Sequence, residues 1–153
     1  MSAPKGNRFW EARNSNKGAA PLYEDPEDLK KACIEYFEWV EDNPLQAAQP
    51  VTFQGRGDTF PVAKMRAMTV VGLCNFIGIS RSVWYHWKGE TGKERQDVLD
   101  IITWAEGIMY DQKLSGAAAD LLNANIIARE LGLADKKQVE GSIAILDSDD
   151  HDL

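Results

Sequence analysis

The chain has 153 residues, a formal net charge of −7, two cysteines and two histidines. That length suits one compact domain with appended arms, and no apolar run approaches the roughly 18 residues of a membrane span. The start, MSAPKGNRFW, is basic but has no apolar segment behind it, so it is not a signal peptide and a cytoplasmic protein is expected. Cys33 and Cys74 each fall on an apolar helix face and read as reduced core thiols. With only His86 and His151 beside them, no zinc site can be assembled.

Residues 1–24 lack regular periodicity, being interrupted by Pro4, Gly6, Gly18 and Pro21. Phe9 and Trp10 are too apolar for a wholly solvated arm. The readings are an extended arm whose aromatics pack on something, such as a neighbouring subunit, or a frayed terminus. The first helix begins sharply: Asp25 is the cap, Pro26 the first helical residue, and Glu27 and Asp28 favour the positive end of the dipole. Leu29, Ala32, Cys33, Tyr36, Phe37 and Val40 then form one face, and Asn43-Pro44 ends the helix.

Between Pro50 and Val62 the pattern changes to β. Val51–Phe53 and Thr59–Phe60 read as two short strands around a turn at Gly55–Asp58, too short to stand alone and so expected to lean on the helices. These glycines do not match a phosphate-binding loop. The single Gly-Lys pair, Gly92-Lys93, is followed by Glu94, and Trp87 stands where the first glycine belongs, which excludes an ATPase built on that loop.

The most explicit stretch is Thr69–Gly89, which reads as a helix-turn-helix. Thr69 caps its first helix and Ser80 its second, Gly78 takes the left-handed turn, and Cys74 is the small residue where the helices touch. Leu73, Ile77, Ile79, Trp84 and Trp87 lie between the helices. Arg81, Ser82, Tyr85, His86 and Lys88 then face outward, side chains that reach phosphates and base edges from a helix in a major groove. Lys64 and Arg66 precede the motif, so this region is locally basic inside an acidic chain. Lys5, Arg8 and Arg13 give the N-terminal arm a basic character as well.

A long helix is expected from Lys93 to Leu114, then a break at Ser115-Gly116, then a second helix from Ala117 to Leu131 ended by Gly132. Apolar residues cover more than one face of this helical hairpin. The surplus points to assembly with copies of the same chain, and Ile101, Ile108, Leu121, Leu122, Ile126 and Ile127 are the candidate contacts. Asn123 and Asn125 read as interhelix hydrogen-bonders. Val139–Leu146 reads as a strand, which must pair with something, and strands of neighbouring copies in a ring would close on one another. The tail, residues 147–153, is acidic. A flexible terminus does not hold ligands in fixed geometry, so its carboxylates and His151 make a poor metal site.

Four blocks closely resemble the small terminase subunit of short-tailed, headful-packaging phages: KGNRFWEAR (Lys5–Arg13), YFEWVEDNPL (Tyr36–Leu45), AKMRAMTVVGL (Ala63–Leu73) and YDQKLSGAAADLLNANIIARELGL (Tyr110–Leu133). The resemblance spans about residues 3–140. It implies a mainly α protein without catalysis or cofactor, acting in the host cytoplasm. It implies a ring, nine copies in relatives, that binds viral double-stranded DNA at the packaging site and recruits the large terminase subunit, the ATPase and nuclease.

On that resemblance the chain divides into an N-terminal arm (1–24), a helical DNA-binding region (25–92) holding the helix-turn-helix (69–89), a helical hairpin for oligomerisation (93–133), a C-terminal strand of a ring barrel (134–146) and an acidic tail (147–153). The tail departs from the family, where it is basic and implicated in DNA binding. That shifts DNA contact to the helix-turn-helix and the N-terminal cations. It leaves Asp147, Asp149, Asp150 and Asp152 as a candidate docking segment for the large subunit. The competing reading is a helix-turn-helix transcription regulator, which would be a dimer.

Overall fold

The computed structural model of the chain describes residues 7, 9–11, 23, 25–89 and 95–133. In chain order these form a short 3-10 turn (Phe9–Glu11), α1 (Pro26–Asp42), β1 (Leu45–Phe53), β2 (Arg56–Lys64), α2 (Val70–Ile77), α3 (Arg81–Lys88), α4 (Gln96–Ala118) and α5 (Ala124–Glu130). The expected C-terminal strand, the acidic tail and most of the N-terminal arm lie outside the described residues.

Local signals set the helix ends. The Asp25 carboxylate accepts from the Glu27 amide at 3.0 Å, and Pro26 opens α1. At its end, the Asn43 side chain and amide both donate to the Trp39 carbonyl. The core gathers where α1, α2, α3 and α4 meet. Leu29 and Cys33 of α1, Leu73 of α2, Trp84 of α3, and Ile102 and Ala105 of α4 are almost wholly withdrawn from solvent. Both cysteines are buried, and neither is in a disulfide. The linker between β2 and α2 is fastened to α4 by Gln112, which accepts from the Met68 amide at 3.0 Å and donates to the Arg66 carbonyl at 2.9 Å.

The helical hairpin breaks later than the sequence suggests. α4 continues through Ser115 and Gly116 to Ala118, and α5 has only seven residues. Gly116 is not a breaker. It is buried, and a Cβ there would stand 2.9 Å from both Leu122 Cδ1 and Met65 Sδ, so the missing side chain makes room for those two. The helix ends because Asp120 turns left-handed at φ +57° and the Leu121 amide folds back onto the Gly116 carbonyl at 2.8 Å. Asn123 caps α5 through the Ile126 amide at 3.1 Å rather than bonding between helices. Lys113, largely buried on α4, holds α5 by an ion pair to Glu130 at 2.5 Å.

The β-hairpin also differs. Each strand has nine residues, and the turn is Gln54-Gly55, with φ +50° and +75°. Two consecutive left-handed residues match a two-residue type I′ turn, so Gly57 and Asp58 belong to the strand. The hairpin does not lean on the helices along its length. Its base is half-buried and the rest is exposed.

Candidate nucleic-acid interface

Within Thr69–Gly89 the local geometry follows from three residues. Thr69 Oγ1 accepts from the Gly72 amide at 3.0 Å and starts α2. Gly78 ends it at φ +80°, a conformation that costs a side-chain-bearing residue energy and glycine little. Ser80 Oγ accepts from the Val83 amide at 3.3 Å and starts α3. Cys74 is buried at the seam, where burial pushes its thiol up to about 11 against the opposing pull of the Arg81 guanidinium.

Trp84 fixes the roll of α3. Its ring is fully buried, and its indole Nε1 donates to Glu106 Oε1 of α4 at 3.0 Å. With Trp84 inward, Arg81, Ser82, Tyr85, His86 and Lys88 are exposed, as the spacing predicts. Two of these are already engaged. Lys88 Nζ donates to the other oxygen of Glu106 at 2.7 Å, and the Ser82 hydroxyl pairs with that of Ser80 at 2.8 Å. From Lys64 to Gly89 the chain holds four cations, Lys64, Arg66, Arg81 and Lys88, and no carboxylate. Glu106 of α4 brings a negative charge to this surface.

Lys64 is exposed at the end of β2. Arg66 is half-buried and also has structural partners. Its Nε donates to the Asn43 carbonyl at 2.7 Å, and its guanidinium lies 4.8 Å from the Trp39 ring centre and 5.4 Å from that of Phe9. Burial holds its pKa below the usual guanidinium value. Arg66 thus joins α1, the Phe9 turn and the linker, beside an apolar groove of about 570 Å³ lined by Tyr36, Trp39 and Val71. Lys5, Arg8 and Arg13 lie outside the described residues, as do Asp147, Asp149, Asp150 and Asp152.

Of the candidate assembly residues, Ile101 and Ile127 are covered within the chain itself. Leu122 is half-buried and within reach of Gly116, while Ile108, Leu121 and Ile126 are exposed. Sequence reasoning missed Glu106, Gln112 and Tyr23. Tyr23 donates to the Ile77 carbonyl at 2.9 Å and meets the Trp87 ring edge-on, which ties the segment before α1 to the end of α2. Only the match between an isolated apolar Tyr and a helix end across the chain would have exposed it.

No group of metal-ligating side chains occurs among the described residues, and no helix there is long and apolar enough to cross a membrane. The family model of the DNA-packaging protein gp3 matches residues 18–139, most of the chain. The chain belongs to that family. It is 55% identical over 140 residues to the terminase small subunit of Salmonella phage P22, an alignment covering 92% of this chain and 83% of the relative. The family match reaches from before α1 to past α5, so the packaging-protein assignment covers every helix described above. The assignment as a small terminase subunit, reached from the four sequence blocks, therefore stands on the whole helical body.

Proposed function

We propose that this small terminase subunit binds viral double-stranded DNA through the exposed face of α3, with no catalysis of its own. It assembles into a ring and delivers the DNA to the large terminase subunit. The observation that carries the reading is charge placement. A chain of net charge −7 has a stretch, Lys64–Gly89, with four cations and no acid, and α3 presents Arg81 from it on a helix held by the Ser80 side-chain cap and a buried Trp. Phosphate attraction needs local positive potential, not net charge. Packaging-family membership supports this reading over a transcription regulator. The acidic residues Asp147 to Asp152 serve as an electrostatic docking segment for the large subunit.

One subunit offers few phosphate contacts, so its affinity lies in the non-specific range of about 10⁻⁴ to 10⁻⁶ M. A ring multiplies such contacts through effective concentration. Changing Arg81 and Lys88 together to Ala is expected to lower affinity strongly and flatten its salt dependence, measured by fluorescence anisotropy across a salt series. A double variant that keeps its assembly state, affinity and salt slope would remove α3 as the DNA site.

A further inference from the structure

The β-hairpin has an uncovered face that the DNA-binding reading does not use. In an antiparallel pair, opposed residues share a face and successive residues alternate. The register opposes Ala47 to Val62, Gln49 to Phe60, Val51 to Asp58 and Phe53 to Arg56. One face therefore collects Leu45, Ala47, Val51, Phe53, Phe60 and Val62, with Gln49, Arg56, Asp58 and Lys64 among them. The other carries Gln46, Ala48, Pro50, Thr52, Gly57, Thr59, Pro61 and Ala63. The apolar face is half-buried at its base and open toward its tip, where Val51 is 42%, Phe53 74% and Phe60 55% exposed.

The edges, by contrast, are closed at several positions. A two-residue turn makes Phe53 and Arg56 a hydrogen-bonded pair, so the odd residues of β1 bond inward and its even residues point outward. Gln46 is outward, and its amide and carbonyl are both taken by the Asn7 side chain at 3.1 and 2.9 Å. Pro50 and Pro61 are outward too and have no amide hydrogen to give. The outward Thr59 amide donates to the Asp58 carboxylate at 2.8 Å. An isolated hairpin is marginal in water, and the two prolines and the occupied amides disfavour strand addition here while the apolar face stays open.

We propose that this face is an assembly surface, covered in the oligomer by the α4–α5 corner of a second copy of the chain. The proposal rests on the ring reading above and names its contact. The corner supplies a second uncovered apolar set, Leu121 at 60%, Ile126 at 65% and Leu133 at 53% exposed. Each set offers roughly 300 Å² of exposed apolar side chain, judged from the area such residues bury. Joining the two removes roughly 600 Å². With the usual apolar fraction near 57%, that is a total interface of about 1,000 Å², the lower bound for a specific contact. The charges on the hairpin face, Arg56, Asp58 and Lys64, sum to +1, too little to make it a phosphate surface. Two different patches meeting head to tail also generate a ring, which a self-matched patch does not.

The test uses the full chain and two variants. F53S/F60S alters only exposed side chains, so it is expected to keep the wild-type circular dichroism spectrum and to run near the 17.1 kDa monomer mass by light scattering. F53C/I126C is expected to give an oxidised ladder of cross-linked oligomers, with Cys33 and Cys74 silent because they are buried. A wild-type chain that is monomeric would remove both the ring and this contact. A wild-type ring with F53S/F60S still fully assembled would overturn the contact alone and leave the ring standing. Cross-linking of F53C/I126C confined to the monomer band would assign the cover to the same chain and overturn the proposal. An intact F53S/F60S ring that fails to stimulate the large subunit's ATPase would assign the face to that subunit instead.

Discussion

Replacing Glu106 by Gln separates two roles of one carboxylate. Glu106 Oε1 accepts from the buried Trp84 indole and Oε2 binds Lys88, at 3.0 and 2.7 Å. Gln keeps a carbonyl oxygen for the indole, so the buried donor stays satisfied. The Lys88 pair is half-exposed and contributes at most about 1 kcal/mol. Glu106→Gln is therefore expected to cost no more than ~1 kcal/mol of stability. Glu106→Leu strands the indole donor as well and is expected to cost a further ~1–3 kcal/mol. On the proposed DNA reading the two substitutions part ways in function. Gln frees Lys88 and removes a negative charge behind α3. Binding is expected to tighten by roughly fivefold per engaged subunit, the equivalent of about 1 kcal/mol. The salt slope should steepen by about 0.9 for each phosphate contact Lys88 gains. Urea melts and anisotropy salt series on the three proteins read both quantities. Equal stability of the Gln and Leu variants would refute the indole bond as a fastener. Unchanged affinity and slope in a folded Gln variant would refute Lys88 as a latent phosphate ligand.

Gly72→Ala places a Cβ 2.6 Å from the Tyr36 hydroxyl, which accepts from the Thr69 amide at 3.2 Å. A loss of ~1–3 kcal/mol in a urea melt is expected, with wild-type stability as the contrary result. Gly116→Ala should also destabilise, by roughly 1 kcal/mol, because the atoms it meets are the flexible ends of Met65 and Leu122. High pH should weaken the fold. Burial raises the Cys74 thiol from 9.0 to about 11 and the Tyr23 phenol from 10.0 to about 12. Above the unfolded values the unfolded chain has released protons that the folded chain retains, so stability falls as pH rises from near 9 toward 12. Melts at about pH 8 and about pH 10 compare the two regimes, and equal midpoints would contradict the burial of Cys74.

What was legible in the sequence was local. Asp25, Thr69 and Ser80 accept from amides within three residues of themselves, and Gly78 acts through its own backbone angle, so their roles follow from chain order alone. The misread features depend on distant neighbours. Gly116 looks like a break until Met65 and Leu122 are seen to occupy the space it leaves. The strands read as short until the register carries them past Pro50 and Pro61, both on outward positions. The packing of the Arg66 guanidinium on Trp39 and Phe9 likewise joins residues far apart in the chain. On the outward side of α3, the engagement of Lys88 was hidden because Glu106 is 18 residues away.

Charge segregation explains how an acidic subunit can serve DNA on the proposed reading. α1 carries six carboxylates, Glu27, Asp28, Glu35, Glu38, Glu41 and Asp42, against Lys30 and Lys31, for a net −4. The stretch Lys64–Gly89 carries +4, and α1 packs against α2. Exposed charges more than about 8 Å apart are largely screened at physiological salt, so what a duplex meets at α3 is set by local charge rather than by the total. The acidic helix then repels a duplex that approaches from its side, while the basic stretch attracts one toward α3. Repulsion elsewhere narrows the orientations a duplex can take, which contributes selectivity without adding a contact. Repetition around a ring would align both effects on every subunit, so orientation of the duplex is set by the contrast between surfaces and not by total charge.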